Sequence, residues 1–181
     1  MRTLLRTSMI GCMALAIVCM TVPFGYTQEV TTPKYPSATV PMIVQSFASK
    51  DVRAGDVWKV YLKASDPEGK MRYIFATITQ PGVGVYPVSI TRIKGENQKE
   101  LSGYIYLNTG HAVPTNFFNL TLSLAVNIQG KGGVFSQPVF FFLSFTFQPS
   151  QEAPLDGVFR EQNLGPIMID LRTVSGRSRE D

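Results

Sequence analysis

The stretch "LTLSLAVNIQ" constrains this chain more than any other, because Leu120, Leu122, Leu124, Val126 and Ile128 alternate with Thr121, Ser123, Ala125, Asn127 and Gln129. Successive side chains of a strand point to opposite faces, so a period of two held over that length describes a sheet with one buried and one wet face. A second segment, "VWKVYLKAS", sends Trp58, Val60, Leu62 and Ala64 one way and Lys59, Tyr61, Lys63 and Ser65 the other, which predicts that Trp58 is in the core. Further strands are expected over residues 43–48, 71–79, 85–93, 100–108 and 134–147.

No segment keeps a 3.6-residue apolar period long enough for a helix. The connections carry turn residues instead: "DVRAGD", "DPEG", "QPGVG", "KGEN", "TGHAVPTN" and "QGKGG". About seven short strands joined by such turns predict an all-β domain of two packed sheets over residues 41–147. The chain of 181 residues has room for one domain of this size plus tails.

The N-terminus has the order of an export signal. Arg2 and Arg6 form a basic start, an apolar run extends from about Met9 to Val22, and small or polar residues at Gly25 and Thr27 allow cleavage before Gln28. The run is shorter than the roughly 20 apolar residues that span a bilayer and is broken by Gly11, Thr21 and Pro23. Residues 1–27 are therefore expected to be a signal peptide, and residues 28–40, with Pro33 and Pro36, an extended spacer. An uncleaved anchor, or lipidation at Cys12 or Cys19, is the membrane-attached alternative. Export to the periplasm, the cell surface or the medium follows from the signal.

Both cysteines lie in the leader, so the mature chain is expected to have no disulfide, thiolate nucleophile or cysteine metal site. The formal charge of +4 loses Arg2 and Arg6 with the leader, and the remaining Lys and Arg are scattered rather than clustered with aromatics, which argues against nucleic acid. The one histidine, His111, sits in a turn-rich stretch with no nucleophile elbow to accompany it. No catalytic residue and no cofactor is expected. A hydrolase without a recognisable motif is the reading from another class.

"KASDPEGKMRY" has a local explanation as a turn: Asp66 accepts from main-chain N–H groups ahead of it, Pro67 presets the first corner, and Gly69 supplies positive φ. The stretch "LKASDPEGKMRYIFATI" resembles the strand-turn-strand of bacterial immunoglobulin-like and cadherin-like extracellular modules, with Ala64, Asp66, Pro67, Glu68, Gly69, Met71 and Tyr73 carrying the likeness. The resemblance implies an immunoglobulin-like sandwich and a noncatalytic role in adhesion, spacing or assembly. Asp66 and Glu68 are weak calcium candidates, because Lys70 stands where many relatives have a further Asp and a calcium site takes six to eight oxygens. Asp51 and Asp56 would join them only if their loops converge.

Two features point to binding. In "PVFFFLSFTF", Val139, Phe141, Leu143, Phe145 and Phe147 share one face while Phe140 and Phe142 stand on the other, so the strand is apolar on both sides and its outer pair calls for a cover. After "QPSQEAPLDG", residues Ile167, Ile169 and Leu171 alternate with Met168, Asp170 and Arg172. Residues 148–181 are expected to be a linker and strand-like tail outside the domain. That tail is free, packs on the Phe140/Phe142 surface, or adds to a partner's edge. The partner is an unidentified protein or a second copy. A carbohydrate-binding alternative uses Tyr104 and Tyr106 on one strand face, with Tyr61 and Tyr73 on other strands. Asn119-Leu120-Thr121 fits a glycosylation pattern.

Overall fold

In the computed structural model, described for residues 40–110, 120–147 and 151–172, strands account for nearly all regular structure. They run β1 (Met42–Ala48), β2 (Asp51–Arg53), β3 (Val57–Ser65), β4 (Met71–Gln80), β5 (Gly84–Val85), β6 (Ser89–Arg92), β7 (Glu100–Asn108), β8 (Thr121–Gly130), β9 (Val139–Thr146) and β10 (Asn163–Pro166), with a single 3-10 turn at Gly95–Asn97. The leader, most of the spacer, His111 and Asn119 lie outside the described residues.

One sheet has the order β1-β3-β7-β10, and the other β2-β9-β8-β4-β5, with β6 also on β4. Both sheets are mixed, because β10 runs parallel to β7 and β2 parallel to β9 among otherwise antiparallel pairs. The inward faces meet in one apolar core. Trp58, Val60, Leu62, Leu101, Ile105 and Leu107 come from the first sheet, and Ile74, Ile78, Leu122, Leu124, Val126, Ile128 and Leu143 from the second. Trp58 is buried as expected, and its indole N–H donates to the Ser49 carbonyl at 2.8 Å, which makes burial of that nitrogen affordable.

Periodicity located β3, β4, β7 and β8 closely. The expected strand over 85–93 is split into β5 and β6 around Pro87, which has no N–H to give to a ladder. The expected strand over 134–147 starts late for the same reason, since Pro138 precedes β9. β2 was hidden in "DVRAGD": only Val52 of its three residues is buried, too short a pattern to register.

The domain does not end at 147. Residues 151–172 belong to it, running over the outside of the first sheet, pairing as β10 with β7, and then entering the core as Ile167, Ile169 and Leu171. This segment corrects the expected tail. Its alternation was real, but the regular strand is 163–166 rather than 167–171. The Ile169 N–H bonds back to the Ile167 carbonyl at 2.9 Å, a tight turn at Met168 that interrupts any ladder.

Candidate functional site

The Asp66 turn joins β3 in one sheet to β4 in the other, so it is a crossover between layers and not a hairpin. Asp66 is fully buried. Its carboxylate accepts from the Glu68 N–H at 3.0 Å and the Lys70 N–H at 3.1 Å, its own N–H donates to the Lys99 carbonyl at 2.9 Å, and Gly69 closes the turn with φ +64°. Glu68 pairs with the Lys70 ammonium. Asp56 lies before the first residue of β3 and Asp66 after its last, so the strand's rise holds them about 30 Å apart. The convergence that would have let Asp56 join the weak calcium candidates Asp66 and Glu68 therefore does not occur. Among the described residues no group of three or more His, Cys, Asp or Glu side chains comes together.

The tyrosine platform also takes a different form. Tyr104 is half-buried on the outer face of β7, its ring tilted 59° to that of Tyr61 at 5.5 Å, and the Lys59 ammonium sits 4.4 Å from its centroid. Tyr61 is itself buried beneath Phe159, 5.6 Å away. The strap formed by residues 151–162 covers this face. Gln151 donates to the Val57 carbonyl, the Arg160 N–H to Ser102 Oγ, and the Tyr104 N–H to the Gln162 carbonyl. Tyr106 sits beside Pro166 and Ile167 of the same segment. Tyr73 belongs to the other sheet, so it shares no face with Tyr61 and Tyr104.

Glu161 fastens the strap. It accepts from Tyr61 Oη at 2.7 Å and Lys59 Nζ at 3.0 Å, and these two donors hold its carboxyl below the usual carboxylate range. Burial and the Glu161 hydrogen bond push the Tyr61 phenol up. For Lys59, desolvation pulls the pKa down but is outweighed by the Glu161 hydrogen bond and the surrounding negative charge, so the ammonium is held above its ordinary value.

Beyond β10 the segment crosses from one sheet to the other. The Ile167 N–H donates to the Tyr106 carbonyl in the first sheet, and the Met168 N–H to Ser89 Oγ and the Arg172 N–H to Tyr86 Oη in the second. Ile167, Ile169 and Leu171 fill the seam between them, while Met168 stays 74% exposed. These three residues, expected at a partner interface, are core. They do not lie on Phe140 and Phe142.

Phe140 and Phe142 remain 63% and 59% exposed on the outer face of β9. Their cross-strand neighbours on β8 are Ala125 and Ser123, side chains too short to shield a phenyl ring. The same face continues across β8 and β4 to Phe75, which packs edge-on against Phe135 at 5.1 Å and stands opposite the exposed Ile90. β2 pairs only with Ser144–Thr146 of β9. Among the described residues nothing pairs with the outer side of 139–143.

Sequence reasoning missed the strap, the Gln80–Tyr86 contact with Arg172, and the open edge of β9. One signal was present: Gly103, a lone glycine inside a strand, marks a close main-chain approach. A Cβ there would lie 2.4 Å from the Gln162 carbonyl oxygen.

Comparison with protein-family models, curated proteins and solved structures finds no match to this chain. Among the described residues no helix is long and apolar enough to cross a membrane.

Proposed function

We propose that this chain is an exported, noncatalytic immunoglobulin-like module that supports or binds another protein at the cell envelope or outside the cell. The observation that carries the binding role is the uncovered Phe140/Phe142 pair. Each buried Phe gains about 1.5–3 kcal/mol, and an apolar pair held in the open beside a strand edge that no described residue pairs is a standing template for association. The strand order supports the immunoglobulin-like reading. β1-β3-β7 against β2-β9-β8-β4 has the order of the A-B-E and A′-G-F-C strands of such sandwiches, with β10 in the place beside β7 where a D strand would lie. Export rests on the Arg2/Arg6 start and the apolar run that follows it.

Two measurements test this. N-terminal sequencing of the protein from envelope and external fractions is expected to find a chain that begins near Gln28, and an unprocessed chain confined to the cytosol would overturn export. A photo-crosslinking residue at Phe140 is expected to trap a protein, whether another protein or a second copy of this chain, while the same residue at the exposed Lys63 traps none. Equal or absent crosslinking at both positions would remove the binding role.

A further inference from the structure

The outer edge of β9 carries main-chain groups on both sides of its contact with β2. Ser144 donates its N–H outward to the Lys50 carbonyl, and Thr146 accepts outward from the Ala54 N–H. Main-chain groups alternate sides along a strand, so the N–H and C=O of Phe142 and Phe140 face the same outer edge. On that outer edge the span that no described residue pairs is 139–143, bounded by Pro138 on one side and by the β2 contact at Ser144 on the other. Its sequence, Val139-Phe140-Phe141-Phe142-Leu143, reads nearly the same in both directions about Phe141.

We infer that two copies of this chain associate through an antiparallel β9–β9 edge, with a two-fold axis at Phe141. In that register Phe140 of one copy opposes Phe142 of the other, and the outward N–H and C=O groups of each pair exchange hydrogen bonds. The opposed residues share a face, so the phenyl rings of both copies gather into one cluster over Ala125 and Ser123. Any other partner strand would have to match this short apolar window. A second copy does so by symmetry, because a two-fold interface brings the same patch to both sides.

Charge agrees. No Asp, Glu, Lys or Arg occurs between Lys131 and Glu152, whereas edge strands that must stay single are commonly guarded by a lysine or an inward-pointing charge. The contact is small beside the roughly 1,600 Å² of a standard interface, so association is reversible and concentration-dependent.

This inference rests on the binding reading above and names its partner. Sedimentation of the mature chain over a range of concentrations is expected to show a monomer–dimer equilibrium. Phe140→Lys is expected to weaken it at least ~10-fold, since it buries an unpaired ammonium against Phe142 of the other copy. The double variant Phe140→Lys/Phe142→Glu places each Lys opposite a Glu and is expected to restore dimerisation at low salt, while either single variant melts close to the parent. A monomer at every concentration, a dimer indifferent to Phe140→Lys, or failure of the double variant to recover overturns the inference. The Phe140 crosslink separates it from the broader reading. A product of twice the chain mass supports self-pairing, and a product with a different protein overturns self-pairing but leaves the binding module standing.

Discussion

The side-chain amide of Gln80 donates to the main-chain carbonyl of Arg172 at 2.7 Å, across 92 residues of sequence. Gln80 is fully buried, and its oxygen accepts from Tyr86 Oη, which in turn accepts from the Arg172 N–H at 2.7 Å. Three polar groups close on one another and anchor the end of the segment to the second sheet. Gln80→Leu leaves the Arg172 carbonyl and the Tyr86 hydroxyl short of a partner. It is expected to cost about 2–4 kcal/mol in denaturant unfolding, and Tyr86→Phe about 1–3 kcal/mol. Loss of less than half a kcal/mol in both would mean that the contact does not hold the segment.

Truncation after residue 150 removes Ile167, Ile169 and Leu171 from the core. At about 1.5–3 kcal/mol each this approaches the whole stability of an ordinary domain. The truncated chain is expected to bind hydrophobic dye and to lose its cooperative melt. A sharp transition retained near the parent temperature would show that the sandwich closes without its seam.

Gly103→Ala tests the strap at one atom. In an open strand the exchange would favour the folded state by reducing chain entropy. Here the added Cβ meets the Gln162 carbonyl oxygen at 2.4 Å and Leu164 Cγ at 2.9 Å. Destabilisation of about 1–3 kcal/mol is expected, with earlier proteolytic cleavage within 151–162. A stabilised variant would refute close packing of the strap on β7.

The Glu161 latch gives the strap a pH dependence with a definite sign. Its carboxyl titrates lower in the folded protein than its ordinary 4.5, because Tyr61 and Lys59 hydrogen-bond the ionised form. The stabilisation is therefore full above that ordinary value and is lost as pH falls through the lower folded one. The protein is expected to lose melting temperature as acid is added below about pH 4.5, and Glu161→Gln to flatten that part of the profile. Parallel profiles for parent and variant would place the acid sensitivity elsewhere.

Asp66 is expected to matter for folding and not for metal. Asp66→Ala strips the acceptors from two main-chain N–H groups at a buried crossover and should cost about 2–4 kcal/mol, with Asp66→Asn between parent and Ala. Calcium or chelator should leave the melting temperature unchanged. A rise with calcium that disappears in Asp66→Asn would turn the turn into a site.

The sequence by itself determined which residues face inward. Leu120 to Ile128, Trp58 to Ala64 and the outward stance of Phe140 and Phe142 follow from alternation alone, because a strand's side chains obey a strict period of two. The Asp-Pro-Glu-Gly turn was legible for a similar reason: its hydrogen bonds close within four residues. Alternation says that a face is buried but not by what. Only the tertiary structure decided that β3 and β4 part into different sheets, that Glu161 reaches back 100 residues to shelter Tyr61, and that Ile167, Ile169 and Leu171 fill the seam rather than await a partner. Such contacts are set by which apolar edge is left open once the sheets have packed, a property of the assembled layers that no local stretch of the chain contains.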